Sequence, residues 1–171
     1  MPRDQYTVRA AKSDDLAVLP VIEQAAAAQF RTTSYAALAD FELASTAINL
    51  EHENVWVVVN GDDQPVGFAI VHVDESSVVH LHEIDVHPQH ARQGLGRWLI
   101  DAVAKWAQEQ GAKALTLTTF GDVPWNGPYY ERLGFRKLET DGLSSALQAI
   151  RNAEAAAGLP MANRICMQLD L

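Results

Sequence analysis

One stretch of this chain has the residue types and spacing of an anion site: Val86-His87-Pro88-Gln89-His90-Ala91-Arg92-Gln93-Gly94-Leu95-Gly96-Arg97. Glycines let a ligand approach the main chain, and a helix that starts at such a turn offers unpaired N–H groups and a partial positive charge. Arg92 and Arg97 are the only formal charges from Gln89 to Arg97. The turn is therefore locally cationic. Two glycines also suffice for a plain tight turn, and that reading stands beside the anion site. A dinucleotide fingerprint would need a third glycine where Leu99 stands, and a P-loop would need Gly-Lys-Ser/Thr, which is absent.

Acid–base groups precede the turn. On a strand, side chains alternate, so Leu81, Glu83 and Asp85 share one face while His80, His82, Ile84 and Val86 share the other. A carboxylate or an imidazole in such a place can accept a proton from a bound group. The histidines His80, His82, His87 and His90 invite a metal reading, but no cysteine or carboxylate joins them at ligand spacing, and no metal is expected. Cys166 is the lone cysteine, which excludes a disulfide framework and fits a reducing compartment. Free cysteines of this kind are more often buried than nucleophilic.

The elements that must position these groups follow from hydropathy. Residues 5–10 alternate as a strand, and 14–29 carry Leu16, Leu19, Ile22 and Ala26 at helical spacing after Asp14-Asp15. A shorter helix is expected within 35–48. Residues 54–59 and 66–73 are β-branched runs around the turn Gly61-Asp62-Asp63-Gln64, which makes a hairpin. A third strand spans 78–86 and ends at His87-Pro88, because proline donates no ladder bond. Helical spacing then runs from Leu95 to Trp106, with Gly111 as its cap, and 114–119 returns to strand. Strand, turn, helix, strand is a crossover unit whose two strands run parallel. A short helix at 128–133, a strand at 135–138, a helix at 143–157 and a strand at 164–169 complete the order. The expected class is α/β, a mixed central sheet of about seven strands with helices on both faces.

The whole chain, 1–171, is expected to form a single domain, since no repeat or linker divides it and 171 residues suit one core. The net charge of -9 argues against nucleic acid or an anionic membrane as a partner and suits cationic ones. No apolar run approaches the ~20 residues of a membrane span, and Met1-Pro2-Arg3-Asp4 lacks the apolar stretch of a leader, so a cytoplasmic protein is expected.

Two motifs then carry a resemblance. Val86-x-Pro88 followed by Arg92-Gln93-Gly94-Leu95-Gly96-Arg97, and Asn126-Gly127-Pro128-Tyr129-Tyr130-Glu131-Arg132-Leu133-Gly134-Phe135, stand in the order and spacing of the GNAT superfamily of acyl-CoA-dependent N-acyltransferases. The resemblance covers nearly the whole chain. One position departs from it: the family's turn usually opens on Arg or Gln, and Ala91 stands there. Binding would then rest on the main-chain N–H groups of 92–97, with Arg92 adjacent.

The resemblance implies acetyl-CoA as acyl donor and N-acetyl transfer to a primary amine by direct attack. A non-catalytic CoA-binding sensor or interaction module is the alternative. It implies a bulge in the strand at Ile84, Asp85 and Val86, splaying the fourth strand from the fifth so that the pantetheine arm can pair with the freed backbone. An N–H at or beside Val86 would polarise the thioester carbonyl. CoA-binding residues are then Ile84, Asp85, Val86, Arg92, Gln93, Gly94, Leu95, Gly96, Arg97 and Asn126, the last of which would otherwise cap a helix. The proton acceptor is Glu83, against a merely solvated strand carboxylate, His82 or Asp85. The acid that protonates the leaving thiolate is Tyr130, with Tyr129 its rival and core filling the plainer use. Phe30, Arg31, Tyr35 and Trp125 would flank the acceptor, and the last helix and strand suit a homodimer contact.

Overall fold

In the computed structural model, which describes residues 5–51, 53–74 and 76–171, the β-branched runs become strands. These are β1 (Thr7–Ala10), β2 (Asn54–Val59), β3 (Pro65–Val73), β4 (Val79–Val86), β5 (Ala114–Phe120), β6 (Arg136–Lys137) and β7 (Arg164–Asp170). Met1 to Asp4, on which the expectation about a leader rested, lie outside the described residues.

The strands form one mixed sheet in the order β1-β2-β3-β4-β5-β7-β6. β1 with β2 and β2 with β3 are antiparallel, as a hairpin requires, and so are β5 with β7 and β6 with β7. β4 and β5 are parallel, the outcome of the crossover. Their ladder holds Val79 to Leu115, His80 to Thr116 and Leu81 to Leu117. It stops there although β4 runs on to Val86 and β5 to Phe120, which matches the expected splay.

The helices are α1 (Leu19–Ala27), α2 (Leu95–Glu109), α3 (Gly127–Arg132) and α4 (Ser145–Ala156). The continuous helix expected over 14–29 is instead three pieces: a 3-10 turn at Ser13–Val18, then α1, then a second 3-10 turn at Ala28–Thr32. Pro20 accounts for the first break. Its ring crowds the carbonyl four residues back and it has no N–H, so an α-helix starts beside it and does not run through it. The helix expected within 35–48 is likewise two 3-10 turns, Ala36–Asp40 and Ala44–Ala47.

The chain packs as two compact units whose boundary falls inside β4. The first comprises Met1–His72 with His82–Trp106. In it Leu19 and Ile22 of α1 bury against Val55, Val57, Val59, Phe68 and Ile70 of the hairpin, each side chain contributing about 1.5–3 kcal/mol of hydrophobic stabilisation. Arg9 and Asp15 close one end of this unit with a 2.6 Å ion pair, and Asp15 also accepts the Lys12 N–H at 2.7 Å. The second comprises Val73–Leu81 with Ala107–Leu171. There Leu143 and Leu147 at the start of α4 pack on Cys166 of β7. Arg164 and Glu154 pair at 2.7 Å, and Arg164 also donates to the Thr118 hydroxyl at 3.1 Å.

Candidate functional site

The turn between β4 and α2 is built by its two ends. β4 finishes with the His87 N–H on the Val66 carbonyl at 2.8 Å, and Pro88 opens a 3-10 turn to His90. α2 begins at Leu95, whose side chain is buried beside Leu99, Ile100 and Val103 of the same helix stripe. Between these anchors Arg92 (φ 62°) and Gly94 (φ 80°) are both left-handed. Alternating handedness turns successive main-chain N–H groups toward one side and makes a concavity that suits an anion. Arg92, Gln93, Gly94 and Arg97 are exposed, while Leu95 offers only its backbone. Arg97 also faces Asp101 at 3.6 Å, an exposed pair of little energetic weight.

On the preceding strand, Glu83 and Asp85 share one face as the alternation predicts, and α1 brings Glu23 to them. Oxygens of the three carboxyl groups lie within 4.8 Å of one another. Glu23 is buried, and its two oxygens accept the Ala44 N–H at 2.7 Å and the Ser45 N–H at 2.8 Å, with the Ser45 hydroxyl as a third donor. Accepting at both oxygens is the bonding of a carboxylate. Burial pushes the Asp85 carboxyl well above the usual range, and the neighbouring Glu83 and Glu23 charges and a hydrogen bond with Glu83 push the same way. The cluster therefore favours a proton, with Asp85 and Glu83 hydrogen-bonded to each other. Three converging carboxyls also suit a hard cation, but the donors already on Glu23 favour a proton-sharing cluster.

Gly67 of β3 allows β4 to come close here. A Cβ on Gly67 would lie 2.8 Å from the Asp85 carbonyl oxygen and 2.9 Å from Val58 Cγ1. Without a side chain, Gly67 lets the Asp85 carbonyl and Val58 sit closer to its Cα than any other residue would allow.

In the second unit, Asn126 stands at the N-cap of α3, but its side chain makes no capping hydrogen bond. Tyr130 is buried, edge-on to Tyr129 at 5.5 Å and to Phe135 at 5.6 Å. Trp125 is half-buried just ahead of Asn126. His80 is buried with Nδ1 3.0 Å from the Thr116 hydroxyl. Cys166 is buried, and burial pushes its thiol up, which disfavours the thiolate a nucleophile would need.

Of the residues expected to flank an acceptor in the first unit, Phe30 and Arg31 fall in the Ala28–Thr32 turn, and Tyr35 precedes the next one. Arg31 is exposed and paired with Asp40 at 2.8 Å. His82 is exposed and stacks edge-on with His72 at 5.0 Å. Glu23 and Ser45 were not singled out from sequence. A signal existed, since Glu23 falls on the buried stripe of Leu19, Ile22 and Ala26, where a carboxylate is out of place unless it is bonded.

The sheet is open and mixed, β4 and β5 are parallel, and a turn with two positive-φ residues leads into α2. A model of the acetyltransferase (GNAT) family matches residues 19–135, and the chain belongs to that family. It is 31% identical over 93 residues to an uncharacterised N-acetyltransferase of Methanocaldococcus jannaschii. That match takes in 51% of this chain but only 41% of the relative, so the chain spans well under half of the relative's length. The PaiA N-acetyltransferase of Thermoplasma acidophilum, solved with coenzyme A, has the same fold at TM-score 0.74 and 13% identity, over 97% of this chain and 99% of that one. The ribosomal-protein-S18-alanine N-acetyltransferase of Escherichia coli matches at TM-score 0.64 and 23% identity, over 96% and 93%.

Proposed function

We propose that the protein transfers the acetyl group of acetyl-CoA to a primary amine by direct attack. The observation that carries the reading is the exposed turn of Arg92 and Gly94 at the head of α2, a main-chain concavity of the kind that receives a diphosphate. Gln93, Gly94, Leu95, Gly96 and the Arg92 and Arg97 side chains hold the diphosphate. The pantetheine arm lies along the backbone of Ile84, Asp85 and Val86, where β4 passes close to Gly67 of β3. An N–H at or beside Val86 then faces the thioester oxygen, and such a donor is worth about 3 kcal/mol in the transition state. Asn126, with no cap bond to make, supplies its amide to the coenzyme.

An amine of the lysine type has a pKa near 10.4 and arrives protonated. Glu83 removes that proton directly or through one water. The Glu23 carboxylate beside them favours a proton on the Glu83–Asp85 pair, which suits a group that must accept one. The amine nitrogen then bonds to the carbonyl carbon. As the tetrahedral intermediate collapses, the nitrogen gives its second proton to water, the C–S bond breaks and Tyr130 gives its phenolic proton to the CoA thiolate; solvent then reprotonates Tyr130 and takes the proton held by Glu83. The products are the N-acetyl amine and CoA.

The same carboxylates and the acid excess of the chain favour a cationic acceptor and disfavour nucleic acid. Among the described residues no helix is long and apolar enough to cross a membrane, and a cytoplasmic setting fits the free Cys166.

The test is thiol release from acetyl-CoA across a panel of amino acids, polyamines, aminoglycosides and peptide N-termini. Turnover that Glu83→Gln and Tyr130→Phe remove while CoA still binds supports the reading. Binding of CoA with no turnover on any amine points to a CoA-sensing module instead.

A further inference from the structure

The segment before β1 reaches the turn through one side chain. The Tyr6 hydroxyl lies 2.9 Å from His90 Nδ1, and the Gln93 side-chain amide donates to the same hydroxyl at 3.3 Å. The Tyr6 ring also meets the His90 ring edge-on, with centroids 5.8 Å apart at 85°. One phenol therefore ties both sides of a four-residue bend whose middle, Ala91 and Arg92, makes none of these bonds. Arg92 is left-handed without being glycine (φ 62°), a backbone state that persists only when surroundings hold it. Burial does not hold it, since Ala91, Arg92 and Gln93 are exposed.

We infer that Tyr6 is a positioning residue that keeps residues 90–93 in the shape that receives the coenzyme's diphosphate. The inference rests on the coenzyme site proposed above. Two bonds of the one hydroxyl make the tie specific. Gln93 donates to the phenol oxygen, and the phenol and His90 Nδ1 share a second hydrogen bond. A phenylalanine keeps the ring contact and loses both bonds. The turn then samples other conformations, and the apparent dissociation constant rises in inverse proportion to the competent fraction.

The test is Tyr6→Phe, with CoA affinity by calorimetry and turnover with acetyl-CoA and with S-acetylpantetheine, which lacks the diphosphate. The expected result is a Kd for CoA raised about tenfold, as for two lost neutral hydrogen bonds, with kcat at saturating acetyl-CoA within about twofold. Turnover on S-acetylpantetheine stays at the wild-type level. An unchanged Kd overturns the inference, as does an equal loss on S-acetylpantetheine, which would make Tyr6 merely structural. Should Tyr6→Phe fail to fold, His90→Phe keeps a ring against Tyr6, cuts one of the two ties and is expected to weaken CoA about threefold; no change overturns the inference. Wild-type protein that takes no CoA sinks the coenzyme reading and this inference with it, whereas wild-type binding with an indifferent Tyr6→Phe sinks the tie alone.

Discussion

Glu83 and Asp85 are two residues apart on one strand face. Burial and the neighbouring Glu83 and Glu23 push the Asp85 carboxyl up, and Glu83 beside it takes the proposed proton-accepting role. Glu83→Gln should lower kcat by ~10²–10⁴ with CoA affinity unchanged, the signature of a lost proton acceptor. Asp85 also links stability to pH. Its folded pKa is raised above the ordinary ~3.9, so its contribution is whole below that value and is lost as pH rises through the folded one. Asp85→Asn should therefore melt higher than wild type at pH 7.5, with the advantage shrinking toward pH 4, as differential scanning calorimetry can read. Asp15 is the converse. The Arg9 guanidinium holds its carboxyl low, so its stabilisation is present above pH ~4 and lost on acidification through the folded value. Asp15 is buried, and Asp15→Ala should cost about 2 kcal/mol in urea unfolding at pH 7.

At the scale of elements, the strands were legible because β-branched runs between turn residues leave few alternatives. The expected 54–59 is β2 residue for residue, and β3 and β4 differ from expectation by one residue at their starts. Helices were legible where an apolar stripe ran unbroken, as in α2 from Leu95, and misread where Pro20 interrupted one. Glu23 reaching Glu83 was hidden, since only packing of α1 on the sheet brings residues sixty positions apart together. Tyr6 reaching His90 was hidden for the same reason. The close approach of β4 to β3 is likewise tertiary, and Gly67 marks it. A Cβ there meets backbone and a β-branched side chain, neither of which yields easily, so Gly67→Ala should destabilise the fold by about 1–3 kcal/mol. It should also weaken CoA binding by moving the Asp85 backbone, and the two effects separate by urea titration and calorimetry.

For the whole molecule, a mixed sheet of about seven strands was readable from one hairpin and one crossover, whereas the place of β7 between β5 and β6 and the unit boundary inside β4 left no mark in the sequence. The family match spans residues 19–135, from the start of α1 to the Phe135 that packs on Tyr130. Ligand linkage gives a direct expectation: CoA at a hundredfold its Kd adds ~2.7 kcal/mol, enough to raise the melting midpoint of a chain this size by about 5–10 °C. The central claim is most directly tested by a crystal structure of the protein with CoA. It should place diphosphate oxygens within hydrogen-bond reach of the main-chain N–H groups of Gln93 to Arg97, with the thiol beside Val86. A nucleotide bound elsewhere, or a diphosphate that leaves those amides untouched, would contradict the account.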